Sequence, residues 1–254
     1  MEVTLLQIAL ILGSGVIAGF VNTIAGGGSF LTLAALEFAG LPILVANGTN
    51  RVAVEVQNIM AVAGFRSKGV SDFRQSLHFA VPALVGAILG AYFVTNLDKT
   101  IFYRIMGVAM LMMLAILILN PQKWLHGREV IFTPGRRILS YVVFLAIGFY
   151  GGAIQAGVGF LLIAALVLVA GLDLVRTNSH KVFIVGTYTL FALLTLALRG
   201  QVNWILGFVL AVGNGVGAWI AARMSVERGD RFVRVALGVI LAVLSLRYLG
   251  IVKF

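Results

Sequence analysis

The chain has 254 residues, of which 61% are hydrophobic and only 11% are charged; its mean hydropathy is +1.06. A soluble domain of this length could not bury so much apolar surface, so the composition excludes an ordinary globular protein and indicates residence in a bilayer. In a soluble protein the net charge of +10 would suggest nucleic-acid binding. Here we attribute it to basic loops on one side of a membrane and expect no nucleic-acid partner.

Apolar segments follow one another from end to end. We predict helices at 4–25, 28–40, 45–65, 73–95 and 100–119, and then at 137–154, 158–170, 175–198, 202–222 and 231–249. Most approach the roughly 20 residues that span a hydrocarbon core. The second segment of each half has only about 13 residues. At about 1.5 Å per residue it cannot cross a full bilayer upright, so we predict that it is short or re-entrant. The first segment lacks a basic flank and a cleavage site, so we predict that it is retained rather than cleaved as a signal peptide.

An internal repeat with an offset of about 130 residues covers most of the chain. Gly27 matches Gly157, and the cluster 49–51 matches 179–181. The fold class that follows is an all-α polytopic membrane protein built from two repeats of about five segments each. Pro121 and Pro134 bracket the one polar stretch between the halves. We therefore assign a first transmembrane repeat to 1–120, a cytoplasmic linker to 121–136 and a second transmembrane repeat to 137–254.

Parity of the crossings predicts that the two repeats are inverted. If the first two segments of each half descend and return, each half crosses an odd net number of times. This arrangement places twelve Lys and Arg residues on one side and five on the other, namely Lys99, Arg104, Arg199, Arg247 and Lys253. Because cytoplasmic flanks are enriched in basic residues, we predict a multi-pass protein of the plasma (inner) membrane with both termini outside.

Two of the nineteen cations fall inside predicted helices, and they are repeat equivalents, Arg51 and Lys181. A cation within a span is costly and is usually paired or lines a polar cavity. Glu55, four residues after Arg51, offers local pairing as one interpretation. The other is an anion site, because both cations follow polar clusters at predicted helix starts, where backbone N–H groups and the helix dipole favour negative charge. Simple N-capping accounts for the clusters but not for the paired cations.

Glycine-rich turns separate the first and second segments of each half, at 22–30 and 155–160. Interrupted segments at corresponding positions of two halves are typical of a transporter's midplane site. Tight hairpin geometry with glycine at positive φ is the alternative. The spaced glycine pairs elsewhere, such as Gly86 and Gly90, are typical of close helix packing rather than of nucleotide binding.

Enzyme chemistry finds little support in this sequence. There is no cysteine, no HExxH motif and no aspartate pair within a helix turn, and the chain has only three histidines. We therefore predict a protein that is not an enzyme and that has neither a metal site nor a cofactor. Glu55, Gln57 and Asn58 lie within a span, where they could serve proton or ion coupling or simply bond between helices.

The paired glycine-rich turns, each followed about 20 residues later by a short Thr/Asn/Ser cluster, resemble the TauE/SafE family of sulfite exporter-like permeases over essentially the whole chain. The resemblance implies a plasma-membrane transporter of sulfur-containing oxyanions such as sulfite or small organosulfonates, commonly moved outward. The second half departs from the pattern, with Ala156-Gly157-Val158-Gly159 in place of three consecutive glycines.

The sequence thus predicts a secondary transporter, most simply an exporter, that moves small sulfur-containing anions by alternating access. A passive anion channel and a transporter of carboxylates are the alternatives. The partners are a small anion and the bilayer, with a homodimer as the remaining candidate. Glu55 is the candidate for ion coupling. The predicted substrate-binding residues are Asn22, Thr23, Gly26, Gly27, Gly28, Asn50, Arg51, Gln155, Gly157, Gly159, Ser179, His180 and Lys181.

Overall fold

A computed structural model describes residues 4–118 and 133–248 of the chain. Within these ranges the chain is helical and contains no strand. The helices are α1 Leu5–Ile24, α2 Ser29–Phe38, α3 Ile43–Arg66, α4 Phe73–Thr95, α5 Lys99–Ile118, α6 Pro134–Ala153, α7 Val158–Ala170, α8 Leu174–Leu198 and α9 Trp204–Tyr248.

Within residues 4–118 and 133–248, four stretches have the length and apolarity needed to cross a membrane, and they lie in α1, α4, α8 and the first part of α9. The short helices α2 and α7 have 10 and 13 residues. The prediction of an all-α polytopic membrane protein is confirmed. Element α9 covers the two last predicted segments of the second half, which are two helices joined by a kink at Gly229, where φ is 67°.

Local capping residues set where several helices begin. Thr4 forms a capping box with Gln7 at the start of α1, and Asp72 and Asp173 accept amide hydrogen bonds at the starts of α4 and α8. These side chains satisfy amides that have no partner within the helix. Asp98, just before α5, accepts hydrogen bonds from Thr100, which lower the pKa of its exposed carboxyl group.

Glycines bring helices of opposite halves into backbone contact. A Cβ added at Gly148 of α6 would overlap the backbone of Ala83 in α4, and one at Gly86 of α4 would overlap the carbonyl of Leu145 in α6. The pairing of α1 with α9 is equivalent, because a Cβ at Gly19 would overlap the backbone of Asn214. The prediction that the spaced glycines serve close helix packing is confirmed.

The helix contacts follow the repeat. The pairing of α1 with α9 corresponds to that of α6 with α4, and the pairing of α3 with α9 corresponds to that of α8 with α4. The start of α3 lies beside the residues that follow α8, since the Thr49 hydroxyl accepts a hydrogen bond from the Asn203 amide. The start of α8 lies beside the residues that follow α3, since the Ser179 hydroxyl donates to the Val70 carbonyl. Helices α3 and α8 are therefore antiparallel, as inverted repeats require.

Side-chain contacts group the basic loops into two faces. Lys68, after α3, forms an ion pair of 2.6 Å with Glu227 of α9. Arg136, in the first turn of α6, donates to carbonyls at the end of α7, so α7 returns to the face where α6 began. At the opposite face, Arg199 lies over the ring of Tyr92. Which face is cytoplasmic stays a prediction.

Two sequence assignments change with the helix bounds. Most of the predicted linker, 121–136, lies outside the described residues, and α6 already begins at Pro134. The polar clusters 47–50 and 177–180 lie inside α3 and α8, after starts at Ile43 and Leu174. The idea that free amides at these helix starts attract an anion is therefore wrong, because in-helix bonding already occupies most amides beyond the first turn.

Candidate functional site

Two helix breaks meet in the middle of the molecule. Helix α1 ends at Ile24 before α2 starts at Ser29, and α6 ends at Ala153 before α7 starts at Val158. The two turns touch through glycine, since a Cβ at Gly26 would overlap the Cα of Gly159 and one at Gly159 would overlap the Cα of Gly26. Only residues without a side chain permit this approach, which brings the N-terminal ends of α2 and α7 to one place.

The turns use left-handed backbone conformations. Gly26 has φ 110° and Gly157 has φ 79°, which glycine adopts without cost. Gln155 has φ 66° and is the one non-glycine residue at positive φ in the described ranges. Such a conformation costs about 1–2 kcal/mol and persists where surrounding contacts impose it, often at functional sites.

A small cavity lies against this junction. Its volume of about 20 Å³ leaves room for one or two water molecules. Its lining includes one cation, and no acidic side chain among the residues that the structure describes contributes to it. The lining residues are Asn22, Gly26, Ser29, Val54, Gln57, Asn58, Gln155, Val158, Gly159, Lys181 and Val185.

Lys181 is the cation of the central cavity and is only 2% exposed. Its ammonium group donates to the Thr23 carbonyl and to Asn178 Oδ1, both at 2.8 Å. The Thr23 carbonyl is at the C-terminal end of α1, where the helix dipole favours a positive charge. An ammonium group has three N–H donors, so one of them has no acceptor among the described residues.

Arg51 is fully buried but does not line the central cavity. Its guanidinium group donates to the carbonyls of Gly151 and Gly152, at 3.0 and 2.5 Å, and to Gln155 Oε1 at 3.1 Å. It thereby binds the C-terminal end of α6. No ion pair joins it to Glu55 within the described residues, so the local-pairing interpretation is wrong.

The two matched cations have matched partners. Arg51 of the first half holds the end of α6 in the second half, and Lys181 of the second half holds the end of α1 in the first half. Asn47 adds a hydrogen bond of 2.9 Å to the Ala153 carbonyl. Each interrupted helix is thus closed by a cation from the other repeat, which couples the two halves through charge.

Amide side chains connect the first turn to α3 and α9. Asn22 Nδ2 donates to Gln57 Oε1 at 3.0 Å, and Asn214 Nδ2 donates to the same oxygen at 3.2 Å. Asn22 also bonds the side chain and the amide of Ser29. Of these residues, Asn22 belongs to the predicted set. The signal for Gln57 and Asn58 was their polarity within a span, and Ser29 lay in the turn motif itself.

Several predicted residues lie away from the central cavity. Asn50 accepts a hydrogen bond of 2.6 Å from Thr32, and His180 bonds Ser76 through Nδ1 at 2.7 Å. Gly28 packs on the backbone of Ala18. Gly27 and Gly157 belong to the turns and Thr23 to the end of α1, and none of the three lines the cavity.

The two repeat-related ends of the α3–α8 pair differ in openness. Near the start of α8 a polar cavity of about 370 Å³ is lined by Ser179 and His180 together with Asp72, Asp173 and Arg176. At the equivalent end, a Cβ at Gly48 would overlap the Gln201 carbonyl, so the backbone there is closed.

Comparison with known proteins gives a consistent result. The sequence profile described as "Sulfite exporter TauE/SafE" matches residues 11–248. A "Probable membrane transporter protein" of Haemophilus influenzae is 28% identical over 245 residues, which is 92% of this chain and 91% of the relative. The "Probable membrane transporter protein YfcA" of Escherichia coli is 29% identical over 238 residues, covering 92% and 86% of the two chains. No solved structure matches the chain.

Proposed function

The chain belongs to the TauE/SafE sulfite exporter family, and on this premise we propose that it is a secondary transporter that exports small sulfur-containing anions such as sulfite or sulfonates by alternating access. The observation that carries the proposal is Lys181, a buried cation with one donor left over, in a small cavity between two helix breaks. Its setting is the plasma membrane, with both termini outside.

The chemistry around the cavity favours an anion. Lys181 supplies positive charge, and the N-terminal ends of α2 and α7 border the same space with their dipoles. Asn58 and Gln155 add amide side chains. A sulfonate or sulfite group offers three oxygens to donors that come from several directions, whereas a carboxylate offers two in one plane. The preference for sulfur is taken from the family.

Alternating access is supported by the two ends of the α3–α8 pair. The end near Gly48 is closed by backbone contact, whereas the end near Ser179 has a polar cavity of about 370 Å³. The central cavity is too small for a polyatomic anion, so binding requires the halves to move apart. Because the repeats hold each other's broken helices through Arg51 and Lys181, a rocking of one repeat against the other changes both ends together.

Transport is tested with purified protein in proteoliposomes. Labelled sulfite and labelled sulfoacetate should enter the proteoliposomes. Uptake should be faster when the same anion, unlabelled, is trapped inside, because a carrier returns to the outer face faster when it is loaded. Thiosulfate, taurine and acetate complete the panel. Lys181→Met should abolish uptake and Lys181→Arg should retain part of it.

Three outcomes would contradict parts of the proposal. Flux without acceleration by the trapped pool would indicate a passive channel. A clear preference for acetate would remove the sulfur assignment but keep the transporter. Full uptake by Lys181→Met would remove the site.

A further inference from the structure

Glu55 is an acidic residue that the proposed anion site does not use, and it lies at the middle of a helix. It is the thirteenth of the 24 residues of α3. Its repeat equivalent at an offset of 130 residues is Val185, so only one half carries the acid. An ionisable residue at the centre of a membrane helix is expensive and generally has a function.

A groove between α3 and α8 leads to this carboxyl group. The groove has a volume of about 400 Å³ and follows α3 from Arg66, at the end of the helix, past Val62 and Ile59 to Glu55. From α8 it receives five residues, none of which is ionisable: Val182, Phe183, Gly186, Thr187 and Leu190. Arg66, at the end of α3, is therefore the one other ionisable side chain of the groove within the described residues.

The carboxyl group itself has an unsatisfied position. Glu55 Oε2 is buried and has no hydrogen-bond partner among the residues that the structure describes. Arg51, one turn earlier on the same helix, directs its guanidinium group to α6 instead, and Lys181 of α8 is bonded to Thr23 and Asn178. A buried carboxylate oxygen without a partner is costly as an anion, whereas a proton on the group removes the charge.

The groove and the anion cavity share a wall. Asn58, one turn after Glu55, lines both spaces and is 2% exposed. Val185, the repeat equivalent of Glu55, lines the anion cavity, and Gly186 lines the groove. The carboxyl group and the proposed anion thus lie in neighbouring spaces that Asn58 separates.

We propose that Glu55 is the proton-binding site of this transporter and that the proton is carried together with the anion. The inference rests on the proposed function. An ionised Glu55 repels an anion in the adjacent cavity and a protonated one does not, so proton and anion favour each other's binding and move in the same direction. A dianion that leaves with one proton still carries one negative charge outward.

The experiment uses sulfoacetate, because its sulfonate does not titrate near neutral pH as sulfite does. Proteoliposomes are clamped at zero membrane potential with a pH difference of one unit. Wild-type protein should accumulate sulfoacetate about tenfold on the alkaline side. Glu55→Gln should keep exchange of labelled for unlabelled sulfoacetate but lose pH-driven accumulation, and Glu55→Asp should keep both. Glu227→Gln, at an exposed acid that pairs with Lys68, is the matched control and should behave as wild type.

A second measurement does not depend on flux. In weakly buffered detergent solution, adding sulfoacetate should cause wild-type protein, but not Glu55→Gln, to take up protons. Wild-type exchange without pH-driven accumulation would overturn the proton proposal and leave the transporter intact. Coupling that survives in a folded Glu55→Gln protein would remove Glu55 from the role. No anion movement at all in wild type would remove both proposals.

Discussion

The meeting of the two glycine turns makes a quantitative prediction. A Cβ at Gly26 would overlap the Cα of Gly159 and lie 2.7 Å from its carbonyl carbon, at a residue whose φ is 110°. Overpacking of this kind costs about 1–3 kcal/mol, and an alanine at positive φ adds about 1–2 kcal/mol. Gly26→Ala should therefore destabilise the protein by roughly 2–5 kcal/mol. Gly159→Ala should cost up to about 2 kcal/mol, because the gain in helix propensity of about 1 kcal/mol offsets part of the overpacking cost.

Thermal unfolding in detergent, followed by tryptophan fluorescence, measures these effects. Gly13→Ala is the matched control, since a Cβ at Gly13 has nothing within 4 Å, and inside α1 it should be neutral or stabilising by up to about 1 kcal/mol. The expected order of stability is Gly13→Ala, wild type, Gly159→Ala and Gly26→Ala. If Gly26→Ala melted with Gly13→Ala, the turns would not be in contact.

Further predictions follow from the same contacts. Arg51→Met should destabilise the fold by about 3–5 kcal/mol, because it leaves buried carbonyls at the end of α6 unpaired. In the folded fraction, the anion affinity measured by calorimetry should stay close to that of wild type. A complete loss of binding would place Arg51 in the binding site. In this cysteine-free chain, a maleimide should label Ser179→Cys faster than Thr49→Cys, since Ser179 lines a cavity of about 370 Å³ and Thr49 is fully buried. Equal labelling rates would contradict the difference in openness between the two ends of the α3–α8 pair. Lys68→Ala should lower the free energy of unfolding by no more than about 1 kcal/mol, because the ion pair of Lys68 with Glu227 is partly exposed.

Much of the fold could be predicted because hydrophobic segments and turn residues are local signals. The ten predicted segments correspond to the helices, including the short α2 and α7, and the last two meet at the kink at Gly229. Glycine spacing also predicted where helices pack closely. The starts of α3 and α8 were predicted at 45 and 175, slightly after the observed starts at Ile43 and Leu174. Apolar residues such as Leu44 and Leu174 occur both inside a helix and before it, so they do not mark its first residue.

The site could be predicted only in part, because partners distant in sequence cannot be read from spacing. The sequence singled out Arg51 and Lys181 as matched interior cations, and the nearest acid, Glu55, was the natural partner for Arg51. The carbonyl groups at the end of α6, about 100 residues away, are its actual acceptors. Backbone acceptors leave no trace in side-chain patterns, so the different roles of the two cations required the structure.

The central claim is that Lys181 binds the transported anion, and ligand-induced stabilisation tests it most directly. Because Lys181 also bonds Thr23, each variant is compared with its own melting temperature without ligand. Sulfite at about one hundred times the dissociation constant should stabilise wild-type protein by about 2.7 kcal/mol. Lys181→Arg should keep part of this stabilisation and Lys181→Met should show none. A Lys181→Met protein that sulfite stabilises as strongly as wild type would contradict the account.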